Sequence, residues 1–307
     1  MSIVDESNES TVTTINVADA SAQPAPDGPV KTDAPRHRST LAVTQRRVIR
    51  SEWIKLRSVR SWIIMAGAAA VLMVAFGALA ASVASGAVTP TNPNGGGGGG
   101  RGPFASLDPT AISLAGVTLA QLILGILGVL VVSNEYANGL IRNTFAAVPR
   151  RLPVLWAKVL VLAGVLAVLM VIASVVAFLV GQLILGDGKN TTLAAEGVLR
   201  AVLGSGLYLA GIGVFGIAIG AMLRNTAGAI AVVVAALLII PGLASLVLPT
   251  SWSDNVLPYL PGNSGTAFTS VHGSATLLGP AAGAAVFVAW LVALLIGAAV
   301  LIRRRDA

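Results

Sequence analysis

The 307-residue chain is 55% hydrophobic and only 11% charged, with a mean hydropathy of +0.83. Globular domains carry about 25% charged residues, so this composition excludes an ordinary soluble domain and favours an integral membrane protein. The chain has no cysteine, which excludes disulfides and cysteine-ligated metal sites. The bases behind its net charge of +7 cluster beside apolar runs, as is typical of membrane topology rather than of nucleic-acid binding.

The first 44 residues predict a disordered tail. They are rich in Ser, Thr, Ala, Asp and Pro, and they show no apolar periodicity. The tail also lacks the basic-then-apolar layout of a secretory signal peptide. We therefore place the folded domain at residues 45–307.

The charge changes sign at Arg46, where a basic amphipathic helix is predicted. Ile49, Trp53 and Leu56 recur at helical spacing, and arginines and lysines occupy most of the remaining circumference. Such a helix belongs in the membrane interface, with its aromatic ring at headgroup depth. The alternative is a merely basic flank that orients the first span, and both interpretations can hold together.

Six apolar segments predict six transmembrane helices in an all-α fold. They lie at about 62–84, 110–132, 154–185, 197–223, 226–248 and 278–302. Six glycines at 95–100 follow the first segment. No Gly-Lys-Ser/Thr sequence follows them and no helix begins there, so they predict a flexible loop rather than a phosphate-binding loop.

The polar stretch 133–158, between the second and third spans, predicts a short amphipathic helix that Pro149 ends. Its apolar side is formed by Tyr136, Leu140, Ile141, Thr144, Phe145 and Val148. An ordinary basic loop between two spans is the alternative, because positively charged cytoplasmic loops are common.

The fifth span meets Pro241 and Gly242 after fifteen residues, which as a helix reach only about 22 Å. This helix must therefore kink and continue, or stop inside a hydrocarbon core of about 30 Å. Residues 243–277 are too polar to span and too apolar for a solvated loop. With Trp252, Tyr259 and several prolines, they predict re-entrant or interfacial pieces.

The distribution of Lys and Arg sets the expected orientation. With the N-terminus inside, 17 of the 20 basic residues fall on the inner side, which predicts six spans with both termini cytoplasmic.

No ionisable residue lies deep inside a span, so a proton- or sodium-driven carrier is disfavoured. The sequence carries no nucleotide-binding loop, so energy for uphill transport must come from another subunit.

Two motifs resemble those of a known family. Residues 47–62, RVIRSEWIKLRSVRSW, are similar to that family's pattern R-x-E-x-x-K-L-R at the entry into the first span. Residues 134–151, NEYANGLIRNTFAAVPRR, are similar to the loop pattern E-Y-x-x-G-x-x-R-x-T-x-x-x-x-P-R. In this order and topology, residues 45–307 resemble the membrane subunit of a type-2 ATP-binding-cassette (ABC) transporter, of the kind common in high-GC Gram-positive bacteria.

The resemblance implies roles for three sets of residues. The interfacial, or connecting, helix would contain Arg47, Arg50, Glu52, Trp53, Lys55, Leu56 and Arg57. A coupling helix that docks on the ATPase would use Glu135, Tyr136, Gly139, Leu140, Arg142, Thr144, Phe145, Arg150 and Arg151. An outer gate would include Pro241, Gly242, Trp252 and Tyr259.

The expected function is that of a permease in the plasma membrane, which exports a hydrophobic or amphipathic compound. The resemblance implies a separate ATPase that binds ATP and Mg²⁺, a second permease copy or paralogue, and contact with lipid. The chain itself is expected to hold no cofactor or metal, to bind no nucleic acid and not to be an enzyme. A membrane anchor or sensory component that recruits a cytoplasmic partner is the alternative.

Overall fold

The fold is described from a computed structural model that covers residues 45–58, 60–88, 107–137, 152–186, 188–247, 249, 255–272 and 278–305. Its α-helices are α1 (Gln45–Ser58), α2 (Arg60–Ser85), α3 (Pro109–Ser113), α4 (Val117–Ala137), α5 (Leu152–Leu185), α6 (Val198–Leu223), α7 (Thr226–Val234), α8 (Ile240–Val247), α9 (Pro261–Thr269) and α10 (Pro280–Arg305). These ranges contain no strand. The predicted tail, the glycine tract and most of the predicted coupling helix lie outside them.

Six helical stretches are long and apolar enough to cross a membrane, which confirms the predicted all-α fold with six spans. They are Arg60–Ser85, Val117–Glu135, Leu152–Leu185, Val198–Leu223, Thr226–Ala244 and Pro280–Arg304. Helices suit this setting because each satisfies its own backbone hydrogen bonds where no water is present.

The second spanning helix begins at Val117, not near Thr110 as the apolar pattern predicts. Pro109 begins a separate short helix, α3, which ends at Ser113. A turn follows, and the side chain of Gln182 on α5 donates hydrogen bonds to the Pro109 carbonyl (3.1 Å) and the Ser113 hydroxyl (2.9 Å). These hydrogen bonds hold α3 against α5 as a separate element.

Helix α6 is the central helix of the described bundle. In its most apolar stretch 83% of the residues are buried, against 17–50% for the other five spans. It packs on α4 without intervening side chains: a Cβ added at Gly128 would overlap the Gly213 carbonyl, and one added at Gly216 would overlap the Gly125 carbonyl. Glycine permits such close backbone approach between membrane helices. The glycine-rich fourth span thus serves an interface within the chain.

A tight turn at Arg224 and Asn225 joins α6 to α7. Arg224 has a left-handed backbone (φ 53°), and its N–H donates to the Gly220 carbonyl (3.0 Å), which ends α6. The Asn225 side chain then accepts a hydrogen bond from the Gly228 N–H (2.9 Å) and caps α7. Two residues therefore reverse the chain.

The fifth span continues through Pro241, and a π-helical turn separates its two halves. This turn covers Ala235–Ile239, and the Ile240 N–H donates to the Ala235 carbonyl five residues back. Proline has no N–H and crowds the carbonyl four residues before it, so a regular α-helix cannot be maintained there. Of the two predicted outcomes, continuation is the observed one.

The 255–272 segment folds against α6 and α10. A 3₁₀ turn at Leu257–Tyr259 leads into α9, and Trp290 on α10 donates to the Tyr259 carbonyl (2.8 Å). A Cβ added at Gly265 on α9 would overlap the Tyr208 ring of α6. The segment therefore contributes to the packed end of the bundle opposite α1.

The α4–α6 contact yields a stability prediction. Gly128→Ala should destabilise the protein by about 1–3 kcal/mol, because the new methyl group requires the two backbones to separate. The apparent unfolding temperature of the purified protein in mild detergent measures this loss. Gly164→Ala on α5 is the control, since no atom lies within 4 Å of a Cβ added there. Equal unfolding temperatures for the two variants would contradict the proposed close contact.

Candidate functional site

Helix α1 lies along the start of α5. Val48 is buried against Val154 and Ala157, and the Gln45 side chain donates to the Pro153 carbonyl (3.1 Å). The face of α1 that contacts the protein therefore contains Val48, Glu52 and Leu56, which are spaced by four residues. Trp53, which is predicted to lie at the membrane interface, is outside this face and is 49% exposed.

A four-residue ion cluster, Glu52, Lys55, Glu135 and Lys158, joins α1, α4 and α5. The Lys158 ammonium on α5 donates to Glu52 of α1 at 2.9 Å and to Glu135 of α4 at 2.8 Å. Lys55 donates to the other oxygen of Glu52 at 2.9 Å and lies 3.6 Å from Glu135. Opposite charges thus alternate around the cluster, and its formal charge is zero.

Burial makes Lys158 and Glu52 depend on one another. Their exposed fractions are 6% and 2%, so neither charge can be fully hydrated. Burying a single ion is costly, and a hydrogen-bonded partner of opposite charge offsets that cost. Lys158 has two such partners from two different helices. The cluster therefore fixes how α1 and the end of α4 are placed relative to the start of α5.

The cluster shifts the pKa values of its two α1 members in opposite directions. Burial alone raises the pKa of Glu52, but the charge of Lys158 and the hydrogen bonds from Lys55 and Lys158 outweigh burial and hold that pKa below its usual value. Burial alone lowers the pKa of Lys55, but its hydrogen bond to Glu52 and the charge of Glu135 outweigh burial and raise that pKa. Both groups are therefore charged at neutral pH.

A second polar contact lies toward the opposite end of α4. The buried Tyr208 hydroxyl on α6 donates to the Gln121 side chain of α4 (2.7 Å). The Tyr208 ring also packs against Phe268 of α9 and Phe287 of α10, with centroid distances of 6.2 Å and 5.0 Å. This contact connects α4 to the 255–272 segment through α6.

Comparison with protein families gives a match. The family described as "ABC-2 family transporter protein" matches residues 48–242, well over half of the chain. The chain belongs to the ABC-2 transporter family. A search of curated proteins found no match. The family supplies membrane permeases of ABC transporters, which generally work with an ATPase subunit and often dimerise. The matched residues include all four members of the ion cluster.

The predicted ABC-2 site residues occupy several separate places. On α1, Glu52 and Leu56 are buried, whereas Arg47, Arg50, Trp53 and Arg57 are exposed. Glu135 and Tyr136 lie in the last turn of α4. Pro241 and Gly242 lie in α8 and Tyr259 in the 3₁₀ turn. The remaining predicted residues lie outside the described part of the chain: Gly139, Leu140, Arg142, Thr144, Phe145, Arg150, Arg151 and Trp252.

Sequence reasoning missed the part that Lys158 takes in this permease. In the sequence this lysine counts only among the basic residues of the inner side, whereas in the structure it is the central cation of the ion cluster. A signal was present: a lysine between apolar residues near the start of a span requires a partner. Glu135 was assigned only to partner docking, and that role stays a prediction. In the structure its carboxylate already accepts a hydrogen bond from Lys158.

We expect Lys158→Met to destabilise the permease by about 3–5 kcal/mol, because it leaves the buried Glu52 carboxylate without its cation. Lys55→Met should cost only about 0–1 kcal/mol, since the Lys55 side chain is 44% exposed. Apparent unfolding temperatures in detergent compare the variants. The double variant Glu52→Gln/Lys158→Met should lose less than the two single variants combined. Equal losses for Lys158→Met and Lys55→Met would exclude Lys158 as the central cation.

The lowered pKa of Glu52 predicts a pH dependence. Its contribution to stability is fully present above the ordinary carboxyl pKa and disappears as the pH falls through the lowered value. The stability difference between wild type and Glu52→Gln should therefore shrink as the pH falls below about 4.3. Unfolding temperatures measured across this pH range give the stability difference. The control is Glu196→Gln, which changes an exposed carboxylate and should have the wild-type stability at each pH. A difference that stays constant with pH would contradict the assignment.

Proposed function

We propose that this ABC-2 permease exports a hydrophobic or amphipathic compound, powered by a separate ATPase that binds ATP and Mg²⁺. The family membership supports the role of permease, and the apolar spans support an apolar substrate. In this proposal the chain holds no cofactor of its own and acts together with a second permease, either a copy of itself or a paralogue. It belongs to the branch common in high-GC Gram-positive bacteria.

The ion cluster is the observation that carries the proposal. Residues 138–151 connect the end of α4 to the start of α5, and Lys158 links those two helices to each other and to α1. A force applied to 138–151 by an ATPase would therefore act on three helices at once. Residues Gly139, Leu140 and Arg142 would dock there, together with Glu135 and Tyr136.

Helix α4 can transmit that movement along the bundle. Glu135 lies at the α1 end of α4, and Gln121 lies about 21 Å away at 1.5 Å per residue. Gln121 contacts Tyr208, which packs against α9. A tilt of α4 would therefore displace the 255–272 segment. We assign this segment to the outer gate, together with Trp252, Pro241 and Gly242. The π turn before Pro241 supplies a point at which the fifth span can bend.

The α1 end of the bundle is assigned to the cytoplasm. This end carries the arginines of α1 and of the α10 terminus, and positively charged residues favour the cytoplasmic side. Residues 138–151, with Arg142, Arg150 and Arg151, then face the compartment that contains ATP.

Recruitment of the ATPase tests the proposal. The tagged permease, isolated from its native membranes in mild detergent, should copurify with an ATPase that has its own phosphate-binding loop. Gly139→Leu and Arg142→Glu should each lower recovery of that ATPase roughly tenfold, by blocking close approach or reversing a charge at the docking segment. Arg101→Glu is the matched control, because it makes the same charge change in the loop predicted on the other side.

Two outcomes would count against the proposal. If the permease copurifies only with a kinase or a metabolic enzyme, the chain is an anchor rather than a transport subunit. If Arg101→Glu lowers ATPase recovery as much as Arg142→Glu does, the 138–151 segment is not the docking site. Equal expression levels and equal unfolding temperatures would show that the Arg142→Glu and Arg101→Glu variants are both folded.

A further inference from the structure

A groove of ≈ 1250 Å³ lies between α1, α2 and α5, on the side of α1 away from the ion cluster. Arg46, Arg47, Arg50 and Trp53 line its mouth. Beyond them the walls are apolar, with Ile63 of α2 and a row of α5 residues that ends at Ile172. Leu160, Val168 and Ile172 are 56–65% exposed in the described structure, so the groove is open along its length.

The mouth of the groove is positively charged. Arg46 and Arg50 are one helical turn apart on α1, and both are exposed. Within the described part of the chain, neither forms an ion pair with a carboxylate. Glu52 is turned to the opposite side, where Lys55 and Lys158 already neutralise it. The mouth therefore favours an anionic group.

Two glycines leave space in the apolar walls. Gly67 of α2 and Gly164 of α5 both line the groove, and no atom lies within 4 Å of a Cβ added at either position. Gly128 differs, because there the added carbon would overlap a neighbouring backbone. Gly67 and Gly164 are thus not required for helix contact, and a larger side chain at either position would project into the open volume.

The length of the groove matches one leaflet of a bilayer. The α5 wall runs from Leu160 to Ile172, about 18 Å at 1.5 Å per residue. Half of a hydrocarbon core of about 30 Å is about 15 Å. An acyl chain that begins at the arginines would therefore reach close to the middle of the membrane, whereas a small soluble anion would use only the mouth.

We propose that this groove binds one anionic phospholipid of the cytoplasmic leaflet, with its phosphate at Arg46 and Arg50 and an acyl chain between α2 and α5. Arginine suits phosphate because its planar donors can form paired hydrogen bonds. A second permease copy fits this groove less well. A symmetric contact centred on it would bring the same arginines of both subunits together, and like charges oppose association.

Lipid binding to the purified full chain tests the proposal. Native mass spectrometry in neutral detergent, with added phosphatidylglycerol or phosphatidylcholine of identical acyl chains, counts the lipids bound at each concentration. We expect one tightly bound phosphatidylglycerol. Arg46→Gln/Arg50→Gln should weaken its binding roughly 10- to 30-fold. Arg57→Gln/Arg60→Gln removes two equally exposed arginines outside the groove and should leave the binding unchanged.

A change in shape without a change in charge tests the acyl site separately. Gly67→Leu should weaken binding of phosphatidylglycerol at least fivefold by filling the groove. Ala68→Leu, at the next and outward-facing position, should leave it unchanged. Both variants should keep the wild-type unfolding temperature in lipid-free detergent, because neither position is packed.

Several results would overturn the proposal. Equal binding of the two lipids, or equal losses for the two arginine pairs, would indicate general attraction to a basic surface. Full competition by water-soluble glycerophosphoglycerol would indicate a site for a free anion. A change in oligomeric state with Gly67→Leu would assign the groove to a subunit interface instead.

Discussion

The ammonium of Lys158, held between the carboxylates of Glu52 and Glu135, is the interaction on which the arrangement of α1, α4 and α5 depends. A hydrophobic contact tolerates sliding, because the apolar attraction is not directional. A buried charge with two hydrogen-bonded partners does not, because any displacement leaves an ion without compensation. The directional ion pairs therefore fix the relative position of these three helices, in addition to the apolar burial that holds them together.

The rest of the bundle is held by a different kind of contact. Gly128 and Gly216 bring the backbones of α4 and α6 together, so that dispersion forces act between main chains over a long, smooth surface. Such contacts have little side-chain entropy to lose, and they keep two helices parallel without polar groups. Polar contacts near both ends of α4 fix its register within the bundle: the ion cluster lies at one end, and the Gln121–Tyr208 hydrogen bond lies nearer the other.

The sequence predicted much of the fold and only part of the site. Long apolar runs are enough to count six spans, and Pro241 is enough to locate the disturbed fifth helix, because both follow from local chemistry. The start of the second span could not be read in this way, since α3 is held by Gln182, about 70 positions later, and a local apolar pattern does not show that contact. The burial of Glu52 could not be predicted for a similar reason. Its cation is Lys158, more than 100 positions later, and the periodicity of apolar residues does not show which distant charge compensates a buried one.

The neutrality of the ion cluster has an electrical consequence. Moving one elementary charge through the membrane field costs about 2.3 kcal/mol per 100 mV. Two positive and two negative groups that travel together carry no net charge through that field, so the cluster itself would add no voltage-dependent work to a joint movement of α1, α4 and α5. Any voltage dependence of such a movement would come instead from the exposed arginines of α1.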